Sequence, residues 1–515
     1  MPRYAAIDIG SNSIRMEAAE VLPGVPQKIL AAERQVTRLG LSVFRTGRVS
    51  PESTAFVCGI LQNWSQRLKK LSIAGLRAVA TSAMRDASNQ KEFLARASDA
   101  IGSPIEIISG QEEARLIHLG VQSRWPQPGK RVLMIDIGGG SAEIVLSDDS
   151  HIRAAFSKQL GALRLNEVFL KNDPPNASEL LRLNEYIDER IASAVAKIGN
   201  AIGEGKIDRV IATSATASAV VCAIHRVPRS KRDAADRLRA TTPQIRKLYR
   251  AIRERNLEGR RKVTGIGPRR AEIIVPGAAV LLRILEKFGV PSLYYSAAGV
   301  RDGIIADLAA RGVGRELTEL NREQREIVEA MAARYGVSLR HVRKVARMAG
   351  TLFSGLQPLH KLPPACGKLL EAAAYLHDIG HYVNDTSHHK HSYYLVANSD
   401  LPGFTQRERE MIANLCRYHR KASPQQDHAN LQPLDAENRR ALGLLAPLLR
   451  LADNLDRGHA QRVKSMRCFV RNNEVVLELD SDTDIGLETW AAERAGEVFR
   501  QVYSHPILLI EGNRS

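Results

Sequence analysis

The sequence predicts an α/β chain of two similar lobes around a cleft, followed by a largely helical region with a small strand-rich end. Three observations carry this expectation. Val132 to Leu146 reads VLMIDIGGGSAEIVL, an apolar run that meets an acid and three glycines and returns as an apolar run too short for a helix. Strand, tight turn and strand are therefore expected. Tyr4 to Arg15 reads YAAIDIGSNSIR, a second copy of the same pattern. Two such loops at the starts of two halves imply a duplicated domain with a cleft between its lobes. From Leu317 onward the spacing turns helical as far as about Ala460, and Cys468 to Leu479 then reads as a hairpin about Asn472-Asn473.

Bare backbone beside an acid at a strand end suits contact with a phosphate. The GxxxxGK[ST] loop and the GxGxxG spacing of a dinucleotide fold are both absent from Val132 to Leu146. Taken alone, either loop reads equally well as a glycine-tight hairpin without a ligand. The repetition favours the phosphate reading.

The chain has 515 residues, with 74 Lys and Arg against 56 Asp and Glu, a formal net charge of +18. That bias favours a polyanionic partner. Aromatic residues make up 5% of the chain, too few to support stacking on single-stranded nucleic acid, so no nucleic-acid partner is expected. Cys58, Cys222, Cys366, Cys416 and Cys468 form no CxxC pair, as in a reduced cytoplasmic protein. The start of the chain lacks the layout of a signal peptide, apolar runs such as Val275 to Leu282 are short, and no membrane partner is expected.

In chain order, lobe I is expected over residues 1–124. Glu52 to Lys70 has helical spacing, and Leu76 to Ala87 reads as a strand ending in Thr81-Ser82 and running into a helix. Hydroxyls and helix-start N–H groups there would face an anion, and Arg85 would bind a phosphate or form a surface ion pair. Ile105 to Leu116 reads as strand, Ser-Gly turn and helix, with Glu112 and Glu113 where acids ordinarily favour a helix start. Lobe II is expected over 125–310. Within it, Ile207 to Val220 is a strand feeding small residues, and Arg226 to Lys262 is a basic stretch that reads first as a solvated face and second as a substrate track. The third region is expected over 311–515.

DIGSNS at Asp8, TSAMR at Thr81, SGQEEA at Ser109 and DIGGGS at Asp136, in this order, resemble the exopolyphosphatase and guanosine pentaphosphate phosphohydrolase (Ppx/GppA) family, of the actin-like ATPase (ASKHA) superfold. The resemblance implies hydrolysis of the terminal phosphoryl group of inorganic polyphosphate, with pppGpp as a further substrate, and a homodimer. It implies that Glu113 is the base, and that Gly10, Ser11, Asn12, Ser13, Thr81, Arg85, Gly138, Gly139, Gly140 and Ser141 hold phosphate. Asp136 and Glu143 would then hold Mg²⁺. Where the family shows Gly-x-Ser-Gly-Thr, this chain has Ala212 and Ala215 at the glycine positions. Alanine resists positive φ and close approach, so a looser contact to a nucleotide is expected there.

In the helical region, YLHDIGH and RLADNLD place His341, His377, Asp378, His391, His419 and Asp453 in an order that resembles the HD superfamily. That resemblance implies a divalent ion, Mn²⁺ or Fe²⁺, on His341, His377, Asp378 and Asp453, with His391 and His419 completing a second position; retention or loss of the metal is left open. Four functions remain open at this stage. They are the phosphatase, an actin-like kinase, an HD phosphohydrolase with the front lobes as a sensor, and a non-enzymatic binder of polyphosphate or alarmone.

Overall fold

The computed structural model describes residues 2–22, 27–311 and 318–511, and its contacts gather the chain into two units, 1–310 and 311–515. Leu317, where the sequence sets the start of helical spacing, lies outside the described residues.

Unit 1 contains two sheets of related topology. The first is built from β1 (Arg3–Ile9), β2 (Ile14–Glu20), β3 (Lys28–Gln35), β4 (Gly75–Ala80) and β5 (Ile105–Ile107), in the order β3-β2-β1-β4-β5. The second comprises β6 (Arg131–Ile137), β7 (Ala142–Asp148), β8 (His151–Lys158), β9 (Arg209–Thr213), β10 (Arg239–Thr241) and β11 (Ser292–Tyr295), in the order β10-β11-β9-β6-β7-β8. Each opens with an antiparallel meander and then adds parallel strands beside its first strand. This doubled arrangement is the two-lobed actin-like fold.

The central strands are apolar because both of their faces are covered. Ile7 and Ile9 pack with Trp64 and Phe93 in the first lobe, and Ile135 and Ile137 pack with Ile187 and Leu281 in the second. Both hairpins turn alike: Gly10 N–H donates to Ser13 O at 3.2 Å, and Gly138 N–H donates to Ser141 O at 3.0 Å. Register therefore sets Asp8 opposite Arg15 and Asp136 opposite Glu143.

Unit 2 is helical, with Leu339–Gly355, Ala365–Leu376, Gln406–Tyr418 and Ala436–Asn454 sharing a core that includes Leu352, Leu376, Leu415 and Leu449. The predicted hairpin is β12 (Ser465–Arg471) and β13 (Glu474–Asp480), joined through Asn472 and Asn473 at φ 51° and 63°. Such positive φ values suit asparagine in a two-residue hairpin turn. The strand-rich end also holds a helix that the sequence reading omits. Helix Gly486–Tyr503 crosses over to β14 (Ile507–Glu511), which pairs in parallel with β13, and its Phe499 is fully buried. Among the described residues no helix is long and apolar enough to cross a membrane.

Candidate active site

The two hairpin turns meet at a cavity of about 480 Å³ lined by both loops, Thr81, Ser82, Glu113, Asp8, Asp136 and several arginines. Gly139 and Gly140 are small because the loops touch. A Cβ on Gly139 would stand 3.1 Å from Asn12 N, and one on Gly140 would stand 2.5 Å from Ser82 Oγ and 2.6 Å from Ser11 Oγ. Neither glycine has a positive φ, so close approach is the reason for glycine at both. Loop carbonyls are taken by the segments that follow. Gly40 N–H donates to Ser11 O at 2.7 Å, and Leu163 and Arg164 N–H groups donate to Gly139 O at 2.9 and 3.0 Å. Arg164 ties the second loop across the lobes, donating to Gly140 O at 2.8 Å and to Ser82 Oγ at 3.2 Å and pairing with Asp86.

Helix Gly110–Arg124 separates its two first-turn acids. Ser109 caps it by accepting from Glu112 N–H at 3.2 Å, and Gly110 lets the helix start lie against Ser157, where a Cβ would come within 2.3 Å. Glu112 turns into protein, bound by Arg115 at 2.8 Å and Arg77 at 3.1 Å in a buried network completed by Asp307. Its carboxyl is held below the usual range: burial opposes ionisation, but Arg115 and Arg77 outweigh it. Glu113 faces the cavity instead. Burial raises its carboxyl to about 7 against the pull of Arg85, with the charges of Asp8 and Asp136 adding to the rise.

The other carboxyls of the site share this condition. Asp8 and Asp136 are raised chiefly by burial, offset by Arg15 in the first case and by the Thr213 hydroxyl in the second. Glu143 is raised well above its ordinary value by burial and then by the charges of Glu113 and Asp136. It is 1% exposed, accepts from Ser157 Oγ at 2.7 Å and lies behind the cavity wall. The donor set fits a hard cation, because a divalent ion beside Asp8 and Asp136 would relieve this crowding of acids. Mg²⁺ ordinarily keeps several waters and takes substrate oxygens beside one or two carboxylates.

Several expectations are corrected. Arg85 forms a partly buried ion pair rather than a surface one: its guanidinium donates to Glu113 Oε2 at 3.0 and 3.1 Å and to Ile108 O at 2.8 Å. The helix start after Thr81 does not offer all its N–H groups, since Ala83 N–H donates to Ser11 Oγ at 3.1 Å. Alanine at 212 and 215 introduces no positive φ, because that conformation falls on Ser214, φ 75°, whose hydroxyl donates to Ile137 O at 2.9 Å. The basic stretch is not wholly a solvated face. Arg229 and Arg232 line the cavity, and Arg260 is buried against Asp173 at 2.7 Å.

The sequence reading also missed a group of arginines. Arg15, Arg34, Arg270 and Arg301 line the cavity with Arg229 and Arg232. Arg34 is lowered to about 9 by burial and by Arg15, Arg270, Arg232 and Arg229; Arg270 is lowered to about 10 by burial and by Arg15. Arg34 Nε is buried with no hydrogen-bond partner. Cations that crowd one another in a cavity define a place for an anion. Asp8 and Arg15 were legible from the repeat, since they occupy the register of Asp136 and Glu143. Arg34 on β3 carried no such signal.

In unit 2, His341, His377, Asp378 and Asp453 each bring one donor atom within 4.8 Å of the others, and Asp378, His381 and His388 form a second such group. His391 belongs to neither group, and His381 and His388 stand where it was expected. His391 lies three residues after His388 on the helix His388–Ala397 and is only partly buried, whereas His388 is buried. His388 and His419 are pushed down to about 4 and about 3 by burial, which leaves neutral imidazoles.

Two hairpin loops, a buried carboxyl facing the cavity and a cationic pocket in an actin-like cleft suit a phosphoanhydride hydrolase. The Ppx/GppA phosphatase family model matches residues 19–311 and its domain III model matches 324–491. The chain belongs to the Ppx/GppA phosphatase family. It is 28% identical over 460 residues to a guanosine-5'-triphosphate,3'-diphosphate pyrophosphatase of Aeromonas hydrophila, covering 88% of this chain and 87% of that protein. The crystal structure of the Aquifex aeolicus Ppx/GppA family member matches at 27% identity and TM-score 0.52, over 61% of this chain and 99% of that one. An exopolyphosphatase-like protein matches at 28% identity and TM-score 0.56, over 60% of this chain and 98% of its own.

Proposed function

We propose that unit 1 removes the terminal phosphoryl group of inorganic polyphosphate by water attack, with Glu113 as the base. The observation that carries this reading is the division of labour between adjacent acids: Glu112 is neutralised by arginines, while Glu113 faces the cavity with its carboxyl near 7. A base near the working pH combines a sizeable ionised fraction with useful basicity. The loops Gly10 to Ser13 and Gly138 to Ser141 cradle the reacting phosphoryl group, and Arg15, Arg270, Arg34, Arg229 and Arg232 take the rest of the anion. The charge-dense substrate makes orientation and neutralisation the main tasks of the site.

Asp8 and Asp136 would hold Mg²⁺, with Glu143 behind them orienting its water. Bound there, the ion would neutralise phosphoryl oxygens. Glu113 accepts the proton of the attacking water, and Arg85 positions Glu113 through its paired contacts rather than touching substrate. The name of the Aeromonas relative supports a second substrate, pppGpp, cleaved at its 5′ γ-phosphoryl group.

For unit 2 the reading is an HD-type helical domain that holds one divalent ion on His341, His377, Asp378 and Asp453. The donor chemistry fits such an ion, and His341 Nε2 is buried with no hydrogen-bond partner. Phosphate release measured with Mg²⁺ on separate pools of long polyphosphate, pppGpp and ATP tests the catalytic reading. Release from polyphosphate is expected; release from none of the three rejects it.

A further inference from the structure

Arg229 and Arg232 are mounted differently from the other cavity arginines. Arg15 and Arg34 belong to strands β2 and β3, whereas Arg229 and Arg232 ride on a short 3₁₀ segment, Arg229–Ala235, broken at Lys231. Residues 228–234 are all exposed, and Ala235 is the residue that packs into the core of the second lobe. The backbone bonds that tie this stretch to the lobe lie at its ends. Val227 N–H donates to Cys222 O at 2.9 Å, and Arg237 N–H donates to Tyr295 O at 2.8 Å. Asp236 adds to the second end by accepting from Ala297 N–H at 2.8 Å.

Each end also carries a left-handed residue that is not glycine: Arg226 has φ 56° and Arg237 has φ 63°. Side chains with a Cβ hold such values only under constraint, and rotation at two such points moves the stretch between them as one piece. From Arg226 to Arg237 the chain has five cations and two acids. Among the described residues Arg229 has no carboxylate at ion-pairing distance, and Arg232 meets Asp233 at 3.8 Å, an acid whose side chain is 94% exposed. Gly267 makes the place for Arg229, since a Cβ there would come 2.7 Å from Arg229 Cδ and 3.0 Å from its Nε. The lobe thus admits this guanidinium beside Arg34, which feels the charge of both Arg229 and Arg232.

We propose that Arg226–Arg237 is a strap that swings on its two ends, kept away from the cavity by arginine repulsion in the free protein and drawn over a phosphate chain that pairs with Arg229 and Arg232. The strap rests on the polyphosphate reading above and adds regulation to that site: the arrangement described is the closed one, and substrate length decides whether it forms. Like charges in a partly buried site are screened weakly by salt, so simple ions do not close it. A polyanion does, because it faces the guanidiniums of the strap and of the cavity wall together. A chain too short to reach Arg229 leaves the strap open.

Hydrogen exchange of the full chain, read by mass spectrometry over residues 226–237, tests the strap. The Glu113→Gln chain is used with Mg²⁺ so that the polymer persists, and binding is measured in the same samples by ultrafiltration. Long polyphosphate should slow exchange there by at least about tenfold, and sodium sulfate at the same ionic strength should not. Arg34→Gln should slow exchange without any polyanion, because the repulsion that opens the strap is gone. Arg229→Gln with Arg232→Gln, at exposed positions where folding is not at stake, should make exchange independent of the polymer. Exchange unchanged by bound polymer, or as slow in the free protein as in the bound one, overturns the strap. Fast exchange in free Arg34→Gln overturns arginine repulsion as its spring. Phosphate release by the wild-type chain separates the two readings: release without slowing rejects the strap and keeps the hydrolase, slowing without release does the reverse, and polymer that does not bind overturns both.

Discussion

Arg85 places both terminal nitrogens of its guanidinium on one oxygen of Glu113, at 3.0 and 3.1 Å. On the proposed mechanism the pair would set the working pH of the site. With Glu113 at about 7 in the free protein, kcat/KM for polyphosphate should rise with pH through about 7, as the carboxylate that accepts the proton forms. The sign follows from the group: a raised carboxyl is protonated and inactive as a base below that value. Arg85→Gln removes the attraction that opposes the rise and should move the ascending limb to higher pH. An unmoved limb in Arg85→Gln would separate the titration from Glu113.

The adjacent acids should respond in opposite ways. Glu113→Gln should lose roughly 10²–10⁴-fold in turnover with its melting temperature kept or raised, because an unfavourably buried charge is removed. Glu112→Gln should instead cost about 3–5 kcal/mol of stability, because Arg77 and Arg115 lose a buried counter-charge. Turnover per folded molecule should change little. Paired melting and kinetic measurements decide it, and a stable, inactive Glu112→Gln protein would reverse the assignment.

Crowded arginines predict a salt signature that depends on chain length. KM for long polyphosphate should rise more steeply with ionic strength than KM for a short oligophosphate, because more phosphates reach Arg34, Arg229 and Arg232. Arg34→Gln combined with Arg229→Gln should remove most of that difference and leave kcat nearly unchanged. Equal salt slopes in the wild type would take these arginines out of the substrate path.

Gly161 offers a steric test of how the second loop is supported. A Cβ there would stand 2.2 Å from Gly140 N and 2.3 Å from Gly139 C, backbone atoms that cannot swing aside. Gly161→Ala should lose roughly 1–3 kcal/mol of stability and most turnover. Gly102→Gln should leave turnover intact, since no atom lies within 4 Å of its Cβ position and its left-handed φ of 74° strains only a helix end. Thermal denaturation and phosphate release on both variants check the contrast.

The repeat made much of unit 1 legible. Continuous apolar runs meeting Asp-Ile-Gly marked both hairpins, because a strand covered on both faces reads as an unbroken apolar run and the tight turn sets the register. What stayed hidden depended on neighbours distant in sequence. The different fates of Glu112 and Glu113 depend on Arg77 and Asp307, which no local pattern joins to helix Gly110–Arg124. Arg34 lies on a half-exposed strand and looks like a surface cation until Arg229 and Arg232 arrive beside it. In unit 2 the order of histidines was readable but the choice between His388 and His391 was not, since the two lie three residues apart on one helix and only the packing of His388 beside His419 and Asp378 separates them.

The duplicated hairpins also give the cleft a direction. At equivalent positions one half carries Asp8 with Arg15 and the other carries Asp136 with Glu143, so the fold repeats while its electrical character does not. Beyond their burial, Arg34 has Arg15, Arg270, Arg232 and Arg229 as its charged neighbours and Glu143 has chiefly Glu113 and Asp136, so cations and acids gather at different places in the site. A uniformly anionic chain laid across such a site would have to press its interior units against the carboxylates. If polyphosphate is the substrate as proposed, a chain end would let the remaining charges stay with the arginines, and this asymmetry would favour trimming from a terminus over cutting within the chain.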